Sequence, residues 1–540
     1  MFVLFVIGSC NSANNENTIV YSPSKNIEVS FQLLTDGTPT YLVKFDENNI
    51  IDTSKLGFDF KELLPIKDNF KIVNIYKNSF NETWQMPWGE TKEVVNNYNE
   101  MIITLNNSDN EISNFRIHFK VFNDGVGFRY DFPQLNNLDS IVILDENTQF
   151  NLTGNHTCWW IPGDWDIYEH LYNKTSFTEI DALSKVNHNN LAQTYIPENA
   201  VNTPLTMCTV DGVHLSFHEA NLTNYPGMTL KIDKTNLLMS SELVGSNRLG
   251  YKAKVKLPFN TPWRTIQIVK NATKLIDSKL IVNLNEPNKL GDVSWFKPKK
   301  YIGIWWEMHL GKSQWSYYNN GKPHGMHGAT TENAKAFIDF ASKNEIGGLL
   351  VEGWNTGWEN WIGFADREGF FDFVTPYPDY DLEEVVQYGK EKGVEIIMHH
   401  ETSAAPLTYE QQLDTAYALM KRLGIHAVKT GYVGKIIPKG EFHHGQWMVK
   451  HYRKVIETAA KYDVAVNAHE PIKSTGIRRT YPNAISREGL RGQEFNAWSS
   501  DGGNPPNHLP TVAFTRMLAG PIDFTPGVFN IKLKPYKPNN

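Results

Sequence analysis

Cysteine is scarce in this chain: Cys10, Cys158 and Cys208 are the only three in 540 residues. The two that lie beyond the N-terminal segment imply neither a disulfide framework nor a metal cluster. Long apolar runs are missing as well. The longest, MFVLFVIG at the N-terminus, falls far short of the roughly 20 residues that span a bilayer, so no transmembrane helix is expected. Neither sign of charge is in large excess, since 52 Lys and Arg against 59 Asp and Glu give a formal charge of −7. That balance carries no electrostatic footprint for nucleic acid or an anionic membrane. No glycine-rich phosphate loop follows a first strand, which weighs against a doubly wound nucleotide-binding sheet.

Aromatic residues and length are what the chain has in plenty. Aromatics reach 12%, with 15 Trp and 23 Tyr, enough to fill a core and still leave platforms that stack on ring-shaped ligands. A chain of this length exceeds one ordinary core, so two or more domains are expected. The N-terminal run ends in IGSC, residues 7–10, small residues before a cysteine as in a lipoprotein signal, although the basic residues that normally open such a signal are absent. Residues 1–19 are therefore read as a signal-like segment and tether. Cys10 would carry a lipid anchor, with a periplasmic or outer-membrane-associated location in a Gram-negative bacterium.

Residues 20–285 read as an all-β sandwich. FRIHFKVF (115–122) alternates apolar and basic residues, NDG supplies a hairpin turn, and VGFRYDF follows. MIITL, KIVNIY, VHLSF and AKVKL repeat the pattern. Residues 286–300 lack periodicity and serve as a linker. From 301 to 540 the rhythm changes to short buried strands (YIGIWW, GGLLVEGW, VEIIMHHE, HAVKTGY, VAVNAHE, GPIDFTPG) separated by amphipathic stretches such as TENAKAFIDFASKN. Repeated strand-helix units predict a (β/α)8 barrel with its active site at the C-terminal ends of the strands.

Those ends are chemically able. VEIIMHHE closes on His399 and Glu401, which alternation puts on one side; VAVNAHE closes on Asn467, His469 and Glu470; SREGLRGQEF adds Glu488 and Glu494. Carboxylates brought together raise one another's pKa, so a cation or a shared proton must compensate. Two chemistries fit. Paired carboxylates hydrolyse glycosides, one protonating the leaving oxygen while another activates water; alternatively the histidines hold zinc for hydrolysis of another bond. A third possibility is a sugar-binding remnant without turnover.

The run from Lys300 to Gly527 resembles glycoside hydrolase family 97, carrying VEGWNTGWENW, MHHETS, VKTGYVG, QWMVKHY, VNAHEPIKSTGIRRTYPN, RGQE and FTPG in order. Upstream, WWIPGDWDIYEHLY and NTPLTM resemble the sandwich segments that border this family's active site. The resemblance implies bacterial α-glycosidases with a β-sandwich and a (β/α)8 barrel. It assigns Glu494 as general acid, Glu401 and Glu470 as the bases that activate water, and calcium to Glu169, Glu470, Glu488 and Glu494. Oxygen-only ligation suits such a hard cation. His399, His469 and Lys429 match substrate-contacting positions, and His400 is placed as readily outside the pocket. Trp305, Trp306, Trp354, Trp358 and Trp361 are collective stacking candidates. The family's retaining branch has an aspartate nucleophile at the end of the fourth strand, where this chain has Thr430 and Gly431. The expected activity is thus an inverting, exo-acting α-glucosidase on α-glucan oligosaccharides, with α-galactosidase as the alternative within the family. The family also continues beyond FTPG through a last barrel strand and a C-terminal β-domain, so the barrel is expected to be incomplete at its C-terminus.

Overall fold

The computed structural model describes residues 16–109, 112–135, 138–186, 192–362, 367–499, 502–525 and 527. The lipobox-like IGSC and the tail 528–540 lie outside them.

The first half is built from an eight-stranded and a ten-stranded antiparallel sheet, with a third of three strands. Strands Phe115–Phe122 and Gly125–Phe132 pair with Phe122 opposite Gly125, leaving Asn123 and Asp124 as the two-residue turn that NDG predicts. Alternation sends Phe115, Ile117, Phe119 and Val121 inward. Aromatic rings then interlock between the sheets: Tyr41 of one lies 4.9 Å from Phe128 of the other, and Phe150 meets Phe217 edge-on at 5.4 Å. The outer face of the ten-stranded sheet is covered too. Tyr98, Phe122 and Trp263 pack against Leu280, Ile281 and Leu284, contributed around the short helix Leu280–Asn283. This helix and its neighbour Thr273–Asp277 depart from the all-β reading, because one helical turn is too short to leave a 3.6-residue period.

The second half holds six parallel strands in sequential order, Tyr301–Ile304, Gly348–Val351, Glu395–Glu401, Ala427–Gly431, Ala465–Ala468 and Ala484–Arg487. Helices Thr331–Lys343, Leu382–Lys392, Pro406–Leu423 and Gln446–Lys461 cover them. Thr330 caps the first helix by accepting the Asn333 N–H, and Gly393 and Gly424 close the second and third in the left-handed region that glycine tolerates. Ile338, Leu349, Val385, Met398, Leu413, Val428, Ile456 and Val466 form the core between sheet and helices. This is the multidomain sandwich-plus-barrel architecture expected from the sequence.

Two strand readings are corrected. The first strand stops at Ile304, and Trp306–His309 coils into a helical turn. GPIDFTPG forms no ladder in its described residues, apart from one bond from the Arg487 N–H to the Pro521 carbonyl. Its two prolines withhold the amides a strand needs.

Sandwich and barrel share one core, in which Tyr432, Ile436, Met448, Tyr452 and Ile472 from the barrel half join the sandwich residues. Lys473 extends into the sandwich to Glu219 at 2.9 Å, and Glu219 also pairs with Arg264, which forks onto Glu146. All four are buried. Removal of any one would strand a buried charge, at a cost of about 3–5 kcal/mol.

Candidate active site

The parallel register aligns the strand ends. His399 lies beside Lys429 and Lys429 beside Asn467, while Glu401 lies one layer higher beside Gly431. His399, Glu401, Lys429 and Gly431 line a cavity of about 410 Å³ together with Glu169, Glu352, His469, Glu470, Glu494, Trp305, Trp315, Trp358 and Trp361. That volume suits a sugar residue or two. The roomier hollow near Leu275, Val282 and Val512, about 620 Å³, is lined mainly by apolar side chains and lacks this convergence of carboxylates.

Glu169 comes from the sandwich. Its loop is folded around the buried Asp164, whose Oδ1 accepts the backbone N–H groups of Asp166, Ile167 and Thr194 at 2.8–3.1 Å. Glu470 follows the fifth strand with φ of 48°, a left-handed conformation that is strained for a glutamate and typical of functional sites. Glu488 follows the sixth strand, its N–H donating to the Ala468 carbonyl at 2.9 Å.

Electrostatics divide the cavity in two. On one side, burial would raise the Glu352 carboxyl, but the Lys429 ammonium at 3.2 Å holds it at about 2. The Trp315 indole N–H also donates to Glu352, at 2.9 Å. Burial keeps His399 neutral by driving its pKa to about 3. On the other side the carboxylates crowd. Burial and the Glu470 charge push Glu401 up to about 8, against N–H donors from Ser403 at 2.6 Å and Val433 at 3.2 Å. Burial and Glu488 raise Glu470 to about 7 and Glu494 to about 8. Burial opposes a charged His469, yet Glu488 at 3.2 Å and Asp523 raise it to about 10. Asp523 also accepts from the Tyr301 hydroxyl at 2.6 Å and the Asn467 amide at 2.7 Å.

Among the described residues, one group of carboxylates and histidines is tight enough to grip an ion: His469, Glu470 and Glu488, with ligand atoms within 4.8 Å of one another. Glu169 and Glu494 line the same cavity as Glu470. A set dominated by carboxylate oxygens, whose crowding raises Glu470 and Glu494, fits a hard cation such as calcium. The arrangement does not fit zinc held by the HHE pair. His399 faces Glu352, whereas His400 points the other way, its Nδ1 2.9 Å from the Tyr409 hydroxyl.

Of the expected catalytic, sugar-binding and metal-holding residues all but Glu488 line the cavity, and Glu488 lies beside His469 and Glu470; of the stacking candidates Trp305, Trp358 and Trp361 line it, and Trp306 packs instead with Leu310. Trp354 is structural, buried with its N–H donating to the His399 carbonyl at 2.7 Å. Glu352, Asp523 and Trp315 escaped the sequence reading. Glu352 was findable, since VEG ends its strand in an acid as MHHE does. Asp523 was hidden inside a segment taken for a strand.

The profile described as Glycosyl-hydrolase 97 N-terminal matches residues 20–287, and that of Glycoside hydrolase 97 matches residues 305–490. The chain belongs to glycoside hydrolase family 97. It is similar to a family 97 enzyme from Pseudoalteromonas sp. strain K8 solved with acarbose, at 42% identity and a TM-score of 0.84, covering 96% of this chain and 75% of that one. The panose complex of a variant of that enzyme gives 42% identity and a TM-score of 0.85 with the same coverage. A retaining alpha-galactosidase of Bacteroides thetaiotaomicron is 25% identical over 526 residues, 94% of this chain and 72% of its own length. This family 97 chain is accordingly a glycoside hydrolase acting on carbohydrate.

Proposed function

We propose that this glycoside hydrolase is an inverting, exo-acting α-glucosidase that releases glucose from α-glucan oligosaccharides. One observation carries the proposal. A Cβ placed on Gly431 would lie 2.0 Å from Glu401 Oε2, so the space in which a fourth-strand aspartate nucleophile would project is taken up by the Glu401 carboxylate. Without a nucleophile there, Glu401 and Glu470 accept the proton of an attacking water, and Glu494 donates to the departing glycosidic oxygen. His399, Lys429 and His469 grip sugar hydroxyls, and Trp305, Trp315, Trp358 and Trp361 exclude water and stack on the rings. Glu169, Glu470, Glu488 and Glu494 would hold calcium, which when bound neutralises their crowding and fixes their orientation. The reading also keeps Cys10 as a lipid anchor at the periplasmic side.

Acarbose and panose bound to the enzyme at 42% identity support a glucosidase. The more distant relative named a retaining alpha-galactosidase supports the second reading, which lacks a nucleophile at Gly431. The two are separated by assaying aryl α-glucoside, aryl α-galactoside and panose side by side. Preference for the glucoside and glucose release from panose are expected; faster cleavage of the galactoside would overturn the proposal.

A further inference from the structure

Two consecutive backbone amides hold the two water-activating carboxylates. The Tyr432 N–H donates to Glu470 Oε2 at 2.8 Å and the Val433 N–H to Glu401 Oε1 at 3.2 Å. The Tyr432 carbonyl shares a rigid plane with the Val433 N–H, and it accepts from His443 Nε2 at 2.9 Å. On the far side of the same ring, His443 Nδ1 lies 2.8 Å from Asp166 Oδ1, which also accepts the His443 backbone N–H at 2.9 Å. The other Asp166 oxygen takes the Thr194 hydroxyl at 2.5 Å. Asp166 and His443 are both fully buried.

Both ring nitrogens of His443 thus face acceptors. A neutral tautomer would aim a lone pair at a carboxylate or a carbonyl, so the ring carries both protons and a positive charge. Burial acts against that charge, but the bond to Asp166 outweighs it and raises the His443 pKa. A charged donor on the carbonyl polarises the peptide and strengthens its N–H as a donor to Glu401. The Tyr432 ring is fixed independently, its hydroxyl 3.0 Å from His451 Nε2 and His451 Nδ1 2.8 Å from Glu410.

We propose that Asp166 of the sandwich and His443 of the barrel form a positioning pair that locks the Tyr432–Val433 peptide into a two-amide clamp for Glu470 and Glu401. The proposal rests on the reading of Glu401 and Glu470 as the bases, and it gives the sandwich a part in setting the attack geometry.

The test compares H443F, H443Q, D166N and E401Q in the full chain, on an aryl α-glucoside with and without azide. Azide attacks the anomeric carbon as an anion, forming a C–N bond as the C–O bond breaks, and the aglycone leaves with the Glu494 proton, so no base is needed. H443F is expected to lose about 10²-fold in kcat with KM within about twofold, the scale of an ångström's misplacement. H443Q, which keeps a donor for the carbonyl, should recover about tenfold, and D166N, which keeps the shape, should lose about tenfold. Azide should accelerate H443F and yield the β-glycosyl azide. Full kcat in H443F beside a crippled E401Q overturns the positioning pair, as does a loss in H443F that azide leaves unmoved, since misfolding is not rescued by a nucleophile. If E401Q keeps its kcat, the assignment of Glu401 as a base falls instead.

Discussion

Substitution of Gly431 by alanine tests the packing on which inversion rests. The new methyl would lie 2.0 Å from Glu401 Oε2 and 3.0 Å from its Cδ, while the Glu401 Cα at 3.6 Å is in ordinary contact. The carboxylate, not the strand, must therefore yield, by roughly 1.3 Å to reach a carbon-oxygen contact of about 3.3 Å. That retreat pulls Oε1 away from the Ser403 and Val433 amides. A base displaced by an ångström costs about 10² in kcat, or about 2.7 kcal/mol of barrier. Stability should fall by about 1–3 kcal/mol from overpacking. Steady-state kinetics on an aryl α-glucoside read the first effect and thermal melting the second. E401A supplies the control: with no carboxylate to collide with, adding G431A should change the barrier by less than about 0.5 kcal/mol. Activity of G431A within about threefold of the unaltered protein, or an undiminished penalty in the E401A background, would show that the Glu401 carboxylate does not fill the space beside Gly431.

Glu494→Gln should abolish cleavage of oligosaccharides, whose glycosidic oxygen needs a proton, and spare activated aryl glycosides; equal losses on both argue against Glu494 as the acid. Chelation should remove activity and lower the melting temperature, with calcium restoring both, because the ion binds the folded site and not the unfolded chain; no change after exhaustive chelation would remove the metal assignment. The pH dependence of the calcium-free protein has a definite sign. Glu401, Glu470 and Glu494 are raised to about 8, 7 and 8 and His469 to about 10, so between about pH 6.5, above which the unfolded histidines have lost their protons, and pH 8 the folded state holds more protons than the unfolded one. Stability then falls as pH rises from about 6.5 to 8, and calcium, favouring the ionised carboxylates, should flatten the slope. A melting temperature that climbs over this range would contradict the crowding.

Much of this site was legible in the sequence because barrel chemistry collects at strand ends. MHHE and NAHE advertise Glu401 and Glu470 by their position after apolar runs, Glu494 is legible only through the resemblance carried by RGQE, and NDG marks its hairpin through turn chemistry alone. The part that stayed hidden depends on partners distant in sequence. Asp166 and His443 are 277 residues apart, and neither sits in a periodic element, so only the docking of sandwich on barrel brings them together. Glu352 reads as one more strand-end acid until Lys429 and Trp315 close on it. Asp523 was obscured because an isoleucine and a phenylalanine flank it, making a strand of what is irregular chain after Pro521. Gly431 looked like a mere absence of acid; its meaning lies in the Glu401 carboxylate filling the space.

Inversion requires that water, and not a carboxylate, attack the anomeric carbon. Carboxylates that flank such a water stand about 6.5–9.5 Å apart, against about 5–5.5 Å when one of them attacks directly. Proton NMR of an α-glucoside during the first turnovers reads the outcome before mutarotation mixes the anomers. β-Glucose is the expected first product; initial release of α-glucose would rule out inversion and require a nucleophile elsewhere in the cavity.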